Sequence, residues 1–545
     1  MKKTIFFCLV IIVAISIPLK LYTIDFSIPS HLDDFSYITH AIEYNQGDFF
    51  LHQKTNPGWS LFLTPFMSII NSNDFLDYSN LARILSLTIS TVTIFPMYVL
   101  ARKFFNEKYS VVAASLIAFE PHLNFISGTA MGEPLLILVL ITTMIFILSD
   151  KSKYHYIAFI FVGLCWWIKL EALYPMIAII IIFFVVHRHK PNSLRNFSLC
   201  IVFLLITISP LFIQRDLQFD DPFYVWYGGT IFAEDYTEIM TTPQDAGITD
   251  FVEKYGVLGL MDRLTNGLIN LFSVLFRILY PYLFILIPFG ILFSLRPIDQ
   301  KLKHVKANWV MILVLIGVLV IPFAIVDERR FLFPLFPFLI ILSTIPIQRV
   351  TNYGLSTFSF NEKQKSVFLV IVVSIVLLLS TIFTAGIGEF GYGLPNSVLE
   401  REKIEFTEYL VENFDGKILR DETVIDYLHY VSLMSGDNAD FKSQIESPRG
   451  KDPYPDLYEP GKVVWLSVNA KTIKELVTNG ETKELKYIGI LENGSHFFPF
   501  LNGLYYNEEK YPYMKKIFDS DEMNYKEFKI KVFEINYQKF HDLNG

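Results

Sequence analysis

Long apolar runs alternate with short polar connections through the first 390 residues, and this pattern breaks near residue 395. A helix needs about 20 apolar residues to cross a hydrocarbon core of about 30 Å. By that measure eleven runs are candidate crossings: 4–23, 80–100, 109–127, 132–149, 154–170, 172–187, 197–214, 273–295, 308–326, 331–347 and 366–386. The run from Trp59 to Ile70 is too short to cross and is expected to lie in the interface as an amphipathic helix. Beyond 395 the period changes. Glu402 to Asn413 and Ile473 to Val477 read as helices, and Lys417 to Leu419, Val463 to Leu466 and Lys529 to Ile535 read as strands. The expected fold is therefore a mainly α membrane protein of about eleven transmembrane helices, residues 1–394, with a soluble α/β domain over 395–545. Two long connections, 25–79 and 215–272, interrupt the membrane part.

Lysine and arginine in short loops orient such a bundle, because these residues stay on the cytoplasmic side. Lys2 and Lys3 place the N-terminus inside. Arg102, Lys103 and Lys108, then Lys151 and Lys153, then Arg188, Lys190 and Arg195, then Arg296 to Lys306, and finally Arg349 to Lys365 fall on alternate connections, all inside. The first long connection carries only Lys54, so it faces outward, as does the tail. Residues 1–23 also have the n- and h-regions of a signal peptide, but no small-x-small cleavage site follows, which favours a retained helix.

Composition adds three exclusions. With 52% hydrophobic and 18% charged residues over 545 positions, the chain carries too much apolar surface for a soluble protein. Its net charge of −8 arises after residue 394, where 27 Asp and Glu face 19 Lys and Arg, and no basic stripe invites nucleic acid. Cys8, Cys165 and Cys200 lie in apolar runs and suggest neither a disulfide framework nor a zinc site. Asn493-Gly494-Ser495 is a glycan-acceptor triplet on the expected outer side.

Sorting charges by face yields the candidate chemistry. Asp33 and Asp34 follow the first helix, Glu133 opens the fourth, Lys169 and Glu171 separate the fifth from the sixth, and Asp327 to Arg330 precede the tenth. All lie on the outer face. Charges at membrane depth cost several kcal/mol unless paired or hydrated, so they tend to line cavities and sites.

The residues also carry a resemblance. Asp33-Asp34-x-x-Tyr37, Asn56-Pro57-Gly58-Trp59, Leu81-Ala82-Arg83, Gly132-Glu133-Pro134-Leu135 and Arg330-Phe331-Leu332-x-Pro334 occur in that order on one face. Together they resemble the membrane-embedded C-type glycosyltransferases that use polyprenyl-phosphate sugars, in the branch of protein O-mannosyltransferases and the lipid A aminoarabinose transferase. The family more often has Asp-Glu in the first loop, Pro-Pro in the second motif and Arg-Tyr in the last. The resemblance implies an inverting transfer of a sugar from a lipid-phosphate donor to an acceptor hydroxyl of a glycan, lipid or protein. Asp33 would be the general base, assisted by Asp34 and Glu133, and Lys169, Arg330 and Arg83 would meet the donor phosphate.

No metal or cofactor is expected for that reaction, although a carboxylate cluster of this kind is able to take a divalent cation, as in the oligosaccharyltransferase catalytic subunit. The tail lacks that enzyme's Trp-Trp-Asp-Tyr-Gly motif; Trp166-Trp167 is followed by Ile168-Lys169. An oligosaccharyltransferase-like enzyme is one alternative. A transporter is another, but it would place charges near the bilayer midplane rather than at outer helix ends. A scaffold working through its tail is the third.

Overall fold

The computed structural model describes residues 3–47, 56–70, 72, 74–224, 232, 248–387, 391–419, 421, 424–428, 430–431, 463–466, 468–495 and 498–544. Lys54 and residues 225–231 and 233–247 of the connection 215–272 lie outside the described residues. The membrane part is built from α1 (Lys3–Leu21), α2 (Leu32–Asn45), α3 (Gly58–Met67), α4 (Phe75–Val92), α5 (Ile94–Ala101), α6 (Glu107–Ala118), α7 (Pro121–Ile126), α8 (Glu133–Ile147), α9 (Ser152–Ile168), α10 (Leu173–His187), α11 (Ser193–Phe219), α12 (Ile248–Ile278), α13 (Leu283–Ser294), α14 (Leu302–Phe323), α15 (Phe336–Arg349) and α16 (Glu362–Thr384).

Seven of these helices or helix pairs are long and apolar enough to cross a membrane: 3–21, 75–101, 170–187, 193–217, 302–323, 329–357 and 362–384. The segments 251–278 and 283–294 make an eighth if their 113° bend is one broken span. Apolar run length alone predicts eleven, and helix geometry explains the difference. Run 109–127 is broken at Glu120-Pro121, where the Glu120 carboxylate caps α7 by accepting the Leu123 N–H at 2.7 Å. Runs 132–149 and 154–170 form helices of 15 and 17 residues, about 22–26 Å at 1.5 Å per residue. The segment 329–357 is the most enclosed of the spans, with 94% of its apolar window buried, and so forms the centre of the bundle.

The tail opens with α17 (Ser397–Asn413) and folds around a five-stranded sheet. Its strands are β1 (Gly416–Leu419), β2 (Val463–Leu466), β3 (Leu485–Leu491), β4 (Met514–Asp519) and β5 (Ile530–Ile535), in the order β2-β1-β3-β5-β4. β2, β1 and β3 run parallel, and β5 is antiparallel to both neighbours, with Ile488 opposite Phe533. α18 (Ile473–Thr482) covers the sheet with Leu476 and Val477, as its amphipathic spacing requires.

The tail rests on the segment that leads into α2. Ser397 donates its hydroxyl to the Asp25 carboxylate, and Arg401 Nη2 donates to Ser27 Oγ at 3.2 Å. The ring of His31 lies 4.9 Å from that of Tyr427, and Ile28 is buried with Tyr427 and Val431. From the other side Arg83 Nη1 donates to the carbonyls of Asp25 and Ile28 at 3.0 and 2.7 Å. The approach to α2 is thus gripped between α4 and the tail.

Candidate functional site

Asp33 and Asp34 lie in the first turn of α2, which presents them differently. Asp33 is exposed, and its Oδ2 lies 3.3 Å from Arg330 Nη1. Asp34 is buried, and its Oδ2 accepts the Ala130 N–H at 2.9 Å. Its Oδ1 has no partner among the described residues. Burial pushes the Asp34 carboxyl up to about 7, against the Ala130 N–H and the charge of Arg83, which favour ionisation.

The turn before α8 is where the segments meet. The Ala130 peptide donates to Asp34 and accepts from Trp59 Nε1 at 2.5 Å. Trp59 is wholly buried and packs on Gly132, where a Cβ would lie 3.1 Å from the Trp59 side chain. Gly58 approaches α9 so closely that a Cβ would lie 2.5 Å from the Trp167 carbonyl. Asn56 donates its amide to the Trp166 carbonyl and accepts from the buried Arg215 at 2.8 Å. Ser60 Oγ donates to the Tyr37 carbonyl at 2.9 Å. The Asn-Pro-Gly-Trp motif therefore fastens α2, α3, the turn before α8 and the end of α9 to one another.

Glu133 and Lys169 form an ion pair of 2.7 Å, with side chains only 4% and 14% exposed. The Lys169 ammonium also lies 5.9 Å from the Tyr37 ring centroid. Glu133 Oε2 has no partner among the described residues. Arg330 bonds Glu328 at 3.3 Å besides meeting Asp33, and its Nη1 reaches Met131 Sδ at 3.4 Å. Burial pushes the Tyr37 phenol up, so it stays a neutral donor at physiological pH.

Of the six residues singled out from the sequence, five converge here as two carboxylate–cation pairs, Asp33–Arg330 and Glu133–Lys169, with Asp34 beside them. Arg83 reaches the site only electrostatically; its hydrogen bonds hold the backbone of residues 25 and 28. Sequence reading passed over Ala130, which works through its backbone, and the buried Arg215. It also passed over Lys20, whose ammonium bonds Ser90 Oγ and Asn124 Oδ1, each at 2.8 Å. A lone lysine in an apolar run was the available signal for Lys20. Among the described residues no three His, Cys, Asp or Glu gather as a metal-holding group. The Asp33 and Glu133 carboxylates instead turn to organic cations.

Residues 54–213 match the family described as dolichyl-phosphate-mannose-protein mannosyltransferase. The fold is similar to that of the Archaeoglobus fulgidus oligosaccharyltransferase crystallised with zinc and sulfate, with a TM-score of 0.58, 14% identity, and 93% of this chain and 71% of that one covered. It is also similar to that of ArnT from Cupriavidus metallidurans bound to undecaprenyl phosphate, with a TM-score of 0.50, 13% identity, and 96% and 97% covered. A search of curated proteins finds no match. The family match and the shared fold bear out the resemblance to membrane-embedded C-type glycosyltransferases, and with it the reading of the chain as a glycosyltransferase.

Proposed function

We propose that this glycosyltransferase moves a sugar from a polyprenyl-phosphate donor to an acceptor hydroxyl at the outer face of the membrane, with inversion at the anomeric carbon. The observation that carries the reading is the convergence of Asp33–Arg330 and Glu133–Lys169 from four distant parts of the chain onto one end of the bundle. Asp33 is the exposed carboxylate of the set and so the one an acceptor can reach. It takes the acceptor proton as the acceptor oxygen attacks the anomeric carbon. The bond from that carbon to the phosphate oxygen breaks as the new bond forms, and its electron pair leaves with the polyprenyl phosphate. Lys169 and Arg330 face the charge that develops on the phosphate, where fixed cations favour the transition state over the ground state. Asp34, carried at about pH 7 between its two forms, and Glu133 orient these groups. The contacts of Arg83 support a bracing role for it.

The test is transfer by the purified chain from a panel of radiolabelled polyprenyl-monophosphate sugars, a mannosyl donor first, with Asp33→Asn at equal fold and yield. Consumption of one donor that is lost in the variant supports the reading; equal consumption by both removes Asp33 as base. The TM-score of 0.58 to an oligosaccharyltransferase favours one second reading, an oligosaccharide donor. Consumption of a lipid-linked oligosaccharide alone in the same panel would select it.

A further inference from the structure

Where the chain leaves α16 for the tail, the side chain of Tyr392 touches both segments that frame Arg330. Its place is set by backbone contacts. The Tyr392 N–H donates to the Phe383 carbonyl and the Gly393 N–H to the Thr384 carbonyl, both at 3.1 Å, so residues 392 and 393 are fastened to the end of α16. Gly386 lies so close to them that a Cβ on it would be 2.7 Å from Gly393 Cα, and its φ of +75° suits glycine as well.

The Tyr392 ring held in this way packs on α7. It stacks on Phe125 with centroids 4.0 Å apart and planes 8° from parallel, and its hydroxyl shares a 2.7 Å hydrogen bond with Nδ1 of His122. The Arg329 guanidinium lies 5.1 Å from the Tyr392 centroid and 5.6 Å from that of Phe125, within reach of cation–π attraction. The His122 ring in turn meets Phe333 and Phe336 at 6.4 and 6.2 Å. Tyr392 therefore ties together the end of α16, α7, and the tight helical segment Arg329–Leu335 with the start of α15.

Two of these parts carry the site. Past α7 the chain enters the turn whose Ala130 N–H holds Asp34 and whose Met131 Sδ meets Arg330, and Arg329 is the neighbour of Arg330. Arg330 has only partly solvated ion pairs of its own, since the carboxylate side chains of Asp33 and Glu328 are 52% and 30% exposed. Solvated pairs of that kind fix a long side chain weakly. Packed aromatic rings are stiffer and prefer defined geometries, which suits them to hold the two segments at a set separation.

We propose that Tyr392 is a positioning residue for transfer: its ring sets the Arg329–Leu335 segment against the turn 127–132, and so sets where the Arg330 guanidinium stands. The proposal rests on the reading of Arg330 as a cation that faces the donor phosphate. Tyr392 touches no substrate and acts through Arg330.

Hydrogen exchange by mass spectrometry on the purified full chain tests the brace without substrate. Tyr392→Leu is expected to speed exchange in peptides covering 127–132 and 328–335 and to leave those of α9 and β3 unchanged, whereas Tyr392→Phe, which keeps the ring, stays near the parent. Steady-state transfer from the donor that the parent consumes tests the consequence. Tyr392→Leu is expected to lower kcat by about tenfold or more with KM for donor changed by less than about twofold, because a misplaced group that meets the transition state costs rate rather than ground-state binding. Tyr392→Phe should restore most of kcat. Tyr154→Leu breaks a stack on Phe146 at the opposite end of α9 from Lys169, and is expected to lower stability with kcat unchanged. In an Arg330→Lys background Tyr392→Leu should add little, since both act through one group. Losses that multiply in that background, a raised KM with kcat intact, or unchanged exchange in both peptides would each overturn the proposal. A parent that consumes no donor refutes the transfer reading instead; faster exchange in Tyr392→Leu would then keep the brace and remove only its part in catalysis.

Discussion

Replacing Lys169 by methionine removes one charge from a 2.7 Å pair whose members are 14% and 4% exposed, and strands the Glu133 carboxylate among apolar side chains. Breaking a buried pair from one side costs about 3–5 kcal/mol, because the remaining charge has no counterion and no water. Arg330 lies near enough to favour ionised Glu133 electrostatically, so about 3 kcal/mol, the lower end, is expected here. The double variant Lys169→Met, Glu133→Gln has no stranded charge and should recover most of that loss. It should not recover transfer, because the cation proposed to face the donor phosphate is still missing. Reversible chemical unfolding in mixed micelles gives the stability of parent, single and double variants, and single-turnover transfer gives the chemistry. If Lys169→Met costs less than about 1 kcal/mol, the value of a solvated surface pair, then the pair is not enclosed and the reasoning fails.

Asp34→Asn should reshape the dependence of stability on pH. The folded-state pKa of Asp34 is about 7 against 3.8 for the free side chain, so the stability its protonated form contributes is full below 3.8 and is lost as pH rises through about 7. Subtracting the Asp34→Asn profile from that of the parent should therefore give a fall confined to that window, and a flat difference would refute the buried placement. Gly58→Ala forces a methyl to within 2.5 Å of the Trp167 backbone, and overpacking of this kind costs about 1–3 kcal/mol, to be measured by unfolding midpoint. Tyr427→Ala removes the ring against His31 and should lower kcat more than it raises KM for donor. A change in neither would detach the tail from the site.

Much of the site was legible because charge placement follows the topology of the chain. Asp33 and Arg330 stand 297 positions apart, yet counting apolar runs puts both at outer helix ends, and there they meet. What run counting misses is local. It cannot see that Glu120 ends one helix and starts another, nor that a 15-residue helix held inside a bundle need not reach both surfaces. In the tail, the strands at Lys417, Val463 and Ile530 announce themselves by branched apolar residues; β3 carries the same signal in Ile488 and Ile490 but interrupts it with a glycine, and β4 shows it least. β3 carries Gly489 at its centre because Val424 lies where a Cβ would sit, and β4 turns Lys515 and Lys516 outward. The role of Ala130 was illegible in principle, since both of its bonds use its backbone and neither depends on its own side chain.

The grip on the approach to α2 has a consequence in time as well as in space. Ser397 and Asp25 are separated by 372 positions, and Arg401 and Ser27 by 374. A ribosome delivers the Asp33 segment among the first parts of the chain and the side chains that clasp it among the last. Insertion of the helices can proceed during synthesis, but the residues flanking Asp33 acquire their full set of neighbours only once the tail has been made and folded. A chain that stops short near residue 395 would retain its two carboxylate–cation pairs on paper and lack the clasp that steadies one of them. The molecule is thereby built to finish the approach to α2 only after the helices before the tail are in place.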